Sequence, residues 1–298
     1  MFTQVLHPTD FSRVALQAFE QALALAERFD AGLRVVHAMV LHGYDPQQIR
    51  RGLPLLEKAY KEIESELLQG MEEMTGKVKG VDVETVFRKG LSPGETILEE
   101  AEACRADLIV MGVHGAEPVR RFFLGSVADK VVRHAACPVL LAGRGKHPVG
   151  PYKKILFPVD FSHASKEASR LAVELARHDG AELSLLYVFQ DVMPPAFYAA
   201  GDAFKSDPDM RERCETAMDE FLDGLGAGDL SIRKVCREGK PSQEIVEAAG
   251  EIESDVIIMG TRGLSGLPHI LLGSTTERVL RRAPCPVLTV RDRDPDEG

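Results

Sequence analysis

The chain contains one long pattern written twice, and this internal repeat limits the folds open to it. Residues 5–12 (VLHPTDFS) return as residues 155–162 (ILFPVDFS), and residues 137–140 (CPVL) return as 285–288 (CPVL). Each copy has the length of an ordinary domain. The sequence therefore predicts two domains of the same fold, at 1–144 and 153–298, joined by a Gly- and Pro-containing linker at 145–152.

Each repeat alternates short apolar runs with amphipathic segments. It opens with an apolar strand that we expect a proline to stop, followed by an Asp and by a Ser that suits a helix N-cap, Ser12 or Ser162. Alternating strands and helices form a parallel sheet with right-handed crossovers and helices on both faces. The predicted class is α/β, with two doubly wound domains in tandem.

A glycine motif follows the fourth predicted strand of each repeat. Gly260-Thr261-Arg262-Gly263 is followed, after nine residues, by Gly273-Ser274, and Gly112 to Gly115 precede Gly125-Ser126 by the same gap. Glycine lets main-chain N–H groups close on an anion, and a helix N-terminus favours negative charge. Two occurrences at matching positions favour a phosphate-binding loop over glycines that only shape a turn.

The Asp after the first strand lies at the same predicted edge as this loop. Ligands of such sheets bind at the carboxyl ends of strands, where the strand order reverses. If the first and fourth strands are neighbours, Asp10 faces one crevice with its loop, and Asp160 does so in the second repeat. An Asp at this position is also common as a local turn or capping residue, so both roles stay open.

Composition and charge narrow the remaining possibilities. A formal net charge of −10 argues against a nucleic-acid binder, which needs a basic face. The five cysteines form no C-x-x-C pair, and the chain shows neither a signal peptide nor a membrane-spanning apolar run, so we expect a cytoplasmic protein. The histidines show no ligand spacing, which predicts no zinc site, and Cys137 and Cys285 suit buried apolar positions.

These motifs together resemble the universal stress protein family, specifically its nucleotide-binding branch and its tandem members. The resemblance rests on the glycine motif, the Pro-x-Asp after the first strand and the closing Cys-Pro-Val, and it covers nearly the whole chain. It implies five-stranded sheets of order 3-2-1-4-5 that bind ATP or another adenine nucleotide, often with Mg²⁺. The last strands, 139–141 and 287–290, are apolar edges that we expect to pair in an intramolecular pseudo-dimer, with a further homodimer left open.

The resemblance also implies which residues contact the nucleotide. Asp10 and Asp160 would meet the adenosine, the strand-two positions Ala38 and Val188 would face adenine, and the glycine loops would hold phosphate. In the first repeat the implied set is Pro8, Thr9, Asp10, Ala38, Met111, Gly112, His114, Gly115, Gly125, Ser126 and Val127. In the second repeat it is Pro158, Val159, Asp160, Val188, Met259, Gly260, Arg262, Gly263, Gly273, Ser274 and Thr275.

The first repeat departs from the family pattern at two positions. Ala38 is small where a larger aliphatic residue is common, and Glu117 places an acid inside the phosphate loop. An acid near a triphosphate is repulsive unless a cation offsets it. The sequence therefore favours the second repeat as the better site.

The function that follows is a nucleotide-binding regulatory or stress-response protein with an unidentified protein partner. Two alternatives stay open: a slow ATP hydrolase or phosphotransferase, and an interaction protein that binds no nucleotide. The chain has no G-x-x-x-x-G-K-[ST] motif and no evident base beside a γ-phosphate, so the enzyme ranks second and no catalytic residue is predicted.

Overall fold

The computed structural model describes residues 1–40, 54–115, 124–142, 149–189, 208–262 and 272–291, with the side chains of 54–60 and 208–211 left out. Contacts divide the chain into two compact units, Met1–Ala142 and Gly143–Gly298. Half of the predicted linker, 145–148, lies outside the described residues. Within the described ranges, no helix combines the length and the apolar character needed to cross a membrane.

The two units have the same order of elements. The first contains β1 (Gln4–Pro8), α1 (Arg13–Phe29), β2 (Gly32–Val40), α2 (Pro54–Thr75), β3 (Val83–Gly90), α3 (Pro93–Ala103), β4 (Leu108–Gly112), α4 (Ser126–His134) and β5 (Val139–Ala142). The second contains β6 (Lys154–Val159), α5 (His163–Asp179), β7 (Glu182–Phe189), α6 (Pro208–Asp223), β8 (Ile232–Glu238), α7 (Pro241–Glu251), β9 (Val256–Gly260), α8 (Ser274–Arg282) and β10 (Val287–Val290).

Both sheets have the predicted order. The first unit runs β3-β2-β1-β4-β5, and the second repeats it as β8-β7-β6-β9-β10. Neighbouring strands inside each unit are parallel. The central strands are buried along almost their whole length, because helices cover both faces of a doubly wound sheet. The α/β class and the strand order 3-2-1-4-5 are therefore confirmed in each unit.

The first and fourth strands of the first unit pair over only two positions. Val5 lies beside Leu108 and Leu6 beside Ile109, and no further pair of β1 and β4 follows within the described residues. The second unit has the same short ladder, Ile155 beside Val256 and Leu156 beside Ile257. Beyond these pairs the strands separate, which opens a crevice at the carboxyl edge of each sheet.

The proline is the last residue of β1, as the sequence predicted, but not of β6, where that expectation was wrong. β6 continues past Pro158 to Val159, and in the first unit the Thr9 amide still donates to the Val36 carbonyl of β2 at 2.9 Å. Because peptide groups alternate in direction along a strand, the nitrogen of Pro8 faces the side of β4. The missing N–H of proline costs no hydrogen bond there, since β4 has already separated.

The helices after the first strands begin where the sequence predicts. The Ser12 hydroxyl accepts a hydrogen bond from the Ala15 amide, and the Ser162 hydroxyl accepts one from the Ser165 amide. Both serines satisfy an amide at the helix end that would otherwise lack an acceptor. Ala18, Ala22 and Leu25 then bury one face of α1 against the sheet.

A buried charge cluster lies between α3 and the strands β2 and β3 of the first unit. Glu100 is only 2% exposed, and its carboxylate accepts from Arg34 Nη1 at 2.8 Å and from Arg88 Nε at 2.6 Å. Arg34 also contacts Glu84. A buried carboxylate is tolerated only when donors of this kind replace its water.

The second repeat supplies the matched test of this cluster. It has Ser184 at the position of Arg34 and Ala248 at that of Glu100. We expect Glu100→Ala to lower the free energy of unfolding of the first unit by about 1–3 kcal/mol, because it leaves the Arg34 guanidinium without its buried acceptor.

Urea unfolding measures this loss. The double variant Arg34→Ser/Glu100→Ala removes both charges and should recover part of the lost stability. If the double variant loses more free energy of unfolding than the two single variants lose together, the account is contradicted.

Candidate functional site

A cavity of about 380 Å³ opens at the carboxyl edge of the first sheet, in the crevice between β1 and β4. Residues from β1, β2, β4 and the starts of α1, α3 and α4 line it. All eleven positions named from the sequence in this repeat lie on its wall: Pro8, Thr9, Asp10, Ala38, Met111, Gly112, His114, Gly115, Gly125, Ser126 and Val127.

The cavity has an apolar side and a polar side. Ala38 on β2, with Pro93 and Ile97 at the start of α3, forms an apolar wall at one end. At the other end the glycines and Ser126 bring backbone groups and a hydroxyl toward the same space. Cavities that bind small ligands combine a mostly apolar lining with a few placed polar groups.

The Asp10 carboxylate is held by a tight turn after β1. Its Oδ1 atom accepts from the Ser12 amide at 3.0 Å, and the Thr9 hydroxyl accepts from the Phe11 amide at 3.1 Å. Phe11 adopts φ 60°, a left-handed conformation that is uncommon outside glycine. Phe161 repeats this angle in the second unit, where Asp160 Oδ1 accepts from the Ser162 amide at 3.0 Å.

A Cβ on any of the three glycines of the first loop would crowd a neighbouring atom, most severely at Gly115. A Cβ on Gly115 would lie 2.5 Å from Asp10 Oδ2, and one on Gly125 would lie 3.1 Å from the His114 Cα. A Cβ on Gly112 would lie 3.0 Å from Val14 Cγ1 on α1. The small size at Gly112 thus serves helix packing, while Gly115 brings the loop backbone next to the aspartate.

Helix α4 begins at the wall of the cavity. Its N-cap, Gly125, has no side chain, and among the described residues no side chain caps this helix. The acid of its first turn, Asp129, is paired with Arg133 through two hydrogen bonds at 2.8 and 2.9 Å. The helix dipole and the first amide groups therefore present a positive potential to the cavity.

Two histidines lie near the cavity of the first repeat, His7 on β1 and His37 on β2. His7 is fully buried, and its Nδ1 lies 2.8 Å from the Val110 carbonyl, which faces the gap between β1 and β4. Burial lowers the pKa of His7 to about 4. Half-buried His37 lines the cavity, contacts the Thr9 carbonyl through Nδ1 at 2.8 Å and stacks on Phe11, and burial lowers its pKa as well.

The second repeat places its corresponding residues at the same edge of its own sheet. Pro158 and Val159 end β6, Val188 lies in β7, Met259 and Gly260 end β9, Arg262 follows, and Ser274 and Thr275 begin α8 behind Gly273. Gly263 lies outside the described residues, as does Glu117 of the first loop. Phe157 and Tyr187 stand where the first repeat has His7 and His37.

Five lining residues of the first cavity were not named from the sequence: Ala15, His37, Pro93, Ile97 and Ala128. The signal for Pro93 and Ile97 was present, because a proline suits the first turn of a helix and a helix that follows the third strand must start at the carboxyl edge of the sheet. The other three depend on how α1, α4 and β2 are rotated toward the crevice, which the local sequence does not state.

Cys137 and Cys285 are buried, as their apolar surroundings predicted. Burial raises the pKa of the Cys285 thiol to about 12, so the thiol is neutral and unreactive at ordinary pH.

Comparison with known proteins settles the relationship of the chain. The model of the universal stress protein family matches residues 1–143 and again residues 151–291. The chain belongs to the universal stress protein family. The resemblance drawn from the motifs is thereby confirmed for both repeats.

Individual members of the universal stress protein family are moderately similar to the chain. One from Methanocaldococcus jannaschii is 38% identical over 141 residues, which are 47% of this chain and 82% of that protein. One from Mycolicibacterium smegmatis is 27% identical over 224 residues, 73% of this chain and 72% of that protein. A crystal structure from Archaeoglobus fulgidus matches 98% of this chain and 97% of its own with a TM-score of 0.71 at 23% identity, and so shares the fold.

Buried His7 predicts a pH-dependent stability of the first unit. Its pKa of about 4 in the folded chain lies below the ordinary histidine pKa of about 6.5, so between these pH values the unfolded chain binds more protons than the folded chain. The free energy of unfolding should therefore fall as the pH falls through this window, by on the order of 3 kcal/mol from His7 alone.

Urea unfolding at pH 7.5 and pH 4.5 tests this expectation. His7→Phe introduces the residue that the second repeat carries and should remove much of the pH dependence, whatever it does to stability at pH 7.5. His163→Gln, at an exposed position, is the control and should keep the dependence. Equal pH dependence in His7→Phe and in the unchanged chain would show that His7 does not contribute it.

Proposed function

We propose that the chain is a regulatory universal stress protein that binds an adenine nucleotide at the carboxyl edge of each repeat. One observation carries the proposal: in the first repeat, every residue named from the motifs lies on the wall of a single cavity of about 380 Å³. That volume falls in the range of small-molecule sites. The second site is inferred from the repetition of the same residues in the same elements.

The two sides of the cavity suit the two ends of a nucleotide. The wall of Ala38, Pro93 and Ile97 is apolar and accepts the faces of a flat base. The opposite end offers the backbone of Gly115 and Gly125, the Ser126 hydroxyl and the uncapped N-terminus of α4. Donors and a positive helix end are the groups that phosphate oxygens require.

Asp10 lies between these ends and suits the sugar. A carboxylate only accepts hydrogen bonds, so it recognises ribose hydroxyl groups or a base amino group rather than phosphate. The Ser12 amide holds Oδ1, and the loop at Gly115 approaches Oδ2, so the carboxylate is fixed in direction before the ligand arrives. A fixed acceptor lowers the entropy lost on binding.

The chemistry of the site supports binding rather than turnover. A bound triphosphate, with Mg²⁺, would supply negative charge that draws the loop and the start of α4 together. Asp129, the acid in the first turn of α4, is already paired with Arg133, and we assign it no role as a general base. Occupancy of this kind changes the stability and the surface of the loop, which is how a regulatory protein reports its ligand.

Gly115→Ala tests the cavity of the first repeat. The new Cβ would lie 2.5 Å from Asp10 Oδ2, so either the loop or the carboxylate must move. We expect the affinity of this repeat for Mg-ATP to fall about tenfold or more, equivalent to about 1.4 kcal/mol. Gly228→Ala is the matched control, because a Cβ there meets no atom within 4 Å.

Isothermal titration with Mg-ATP gives affinity and stoichiometry for each variant. The unchanged chain and Gly228→Ala should bind two equivalents with their ordinary affinities, and Gly115→Ala should bind one of the two about tenfold or more weakly. Binding undiminished in a folded Gly115→Ala protein would remove the first cavity from the proposal. Failure of the unchanged chain to bind, together with no nucleotide released on denaturation, would favour an interaction protein.

Ser126→Ala and Ser274→Ala form the corresponding pair at the helix starts. Each removes one hydroxyl that is placed to bond a charged oxygen, a loss of about 1.5–3 kcal/mol, or roughly ten- to a hundredfold in affinity for that repeat. Ligand at about a hundred times its dissociation constant stabilises the bound state by about 2.7 kcal/mol, so thermal shift detects each loss. Steady ATP turnover that either variant abolishes would favour the hydrolase instead.

A further inference from the structure

The two crevices differ at seven of the sixteen wall positions, and at three of these the first repeat has an alanine where the second has a larger residue. Its cavity is lined by Ala15 at the start of α1, Ala38 at the end of β2 and Ala128 in the first turn of α4. The repeat pattern places Ser165, Val188 and Thr276 at these positions in the second unit. At these three positions together, the second repeat carries five more non-hydrogen side-chain atoms than the first.

Two of the larger side chains are fastened to the walls of the second crevice. The Ser165 hydroxyl donates to Asp160 Oδ1 at 2.7 Å, and the Thr276 hydroxyl donates to the Gly260 carbonyl at 3.0 Å. Ser165 and Thr276 are 4% and 3% exposed. Because they are buried and hydrogen-bonded, these side chains are poorly able to move aside for a larger ligand.

Ala38 lies at the end of the crevice that suits a base. β2 is the neighbour of β1 on the side away from β4, whereas the glycine loop and α4 follow β4. A nucleotide whose phosphates lie at the start of α4 therefore extends its base toward β2. Ala38, Pro93 and Ile97 line the same cavity, so the space left by the missing methyl groups has apolar neighbours.

We propose that the first repeat accepts an adenine nucleotide whose base carries an additional apolar substituent, and that the second repeat excludes it. The inference rests on the proposed nucleotide function and assigns the two repeats different ligands. Ala38 and Val188 contribute most to the discrimination between the two nucleotides, because their side chains limit the space available to the base. Ala15 and Ala128 deepen the same cavity toward its centre.

The energetic reason is steric. Forcing extra carbon atoms into a filled apolar space costs about 1–3 kcal/mol, which is about five- to 150-fold in affinity. The reverse change, from valine to alanine, leaves room that a substituent can fill and that plain adenine leaves empty. The ratio of the affinities for a substituted and an unsubstituted nucleotide is therefore the quantity that the wall residue controls.

The experiment uses the full chain, Mg-ATP and three ATP analogues with a benzyl or alkyl group on N6, C2 or C8 of adenine. Titration should give two equivalents of Mg-ATP and one equivalent of at least one analogue. Gly115→Ala should weaken binding of that analogue about tenfold or more and leave one equivalent of Mg-ATP bound with its ordinary affinity. Ala38→Val should lower the analogue-to-ATP affinity ratio of the first repeat about tenfold.

The reciprocal variant makes the assignment specific. Val188→Ala should add a second equivalent of the analogue, and the triple variant Ser165→Ala/Val188→Ala/Thr276→Ala should bind it more tightly than Val188→Ala does. Gly228→Ala, outside both crevices, should keep the ratio of the unchanged chain. Circular dichroism and thermal unfolding verify that each variant is folded.

The outcomes separate this inference from the function on which it rests. Two equivalents of Mg-ATP, with every analogue excluded from both repeats or bound equally by both, would overturn the inference and leave the proposed function standing. An affinity ratio unchanged in folded Ala38→Val would overturn it as well. Failure to bind Mg-ATP and all analogues would instead remove the proposed function.

Discussion

The separation of β1 from β4 after two paired positions is the constraint on which the rest of each unit depends. It creates the crevice, and it explains why a proline is acceptable at the end of the central strand β1, since the nitrogen of Pro8 faces the gap. It also leaves the Val110 carbonyl without a strand partner, and the buried His7 imidazole takes that place in the first repeat. The sheet is thus complete on one side of β1 and open on the other, and the opening faces the carboxyl edge where the glycine loops begin.

The two repeats share this backbone arrangement and differ in the side chains that pack against it. His7, His37 and the Arg34–Glu100 pair of the first unit become Phe157, Tyr187 and Ser184 with Ala248 in the second. Arg34 and Glu100, which bond to each other in the first unit, are replaced together in the second. The turn at the aspartate, the serine cap and the glycine positions stay the same. What is common defines the fold and the proposed nucleotide site, and what differs places a buried histidine, His7, and smaller wall residues in the first unit.

Sequence patterns predicted the architecture well because each depends on short-range physics. The repeat, the apolar runs, the Ser12 and Ser162 caps and the strand-to-helix glycine loops are local, and the family resemblance supplied the strand order. The sequence was less informative about the walls of the cavity. Ala15, His37 and Ala128 are ordinary residues in their own segments, and they reach the cavity only through the rotation of their helix or strand against the sheet.

The sequence by itself determined that the chain is two α/β units of one family, because hydrophobic periodicity, capping chemistry and glycine spacing are properties of consecutive residues. The tertiary structure alone decided where β1 leaves β4, that Pro8 falls at that gap and that His7 satisfies Val110. It also decided that Gly112 is small for the sake of α1, whereas Gly115 is small for the sake of Asp10. The reason is the same in each case: these contacts join residues that are far apart in the chain, and no local pattern states the distance between them.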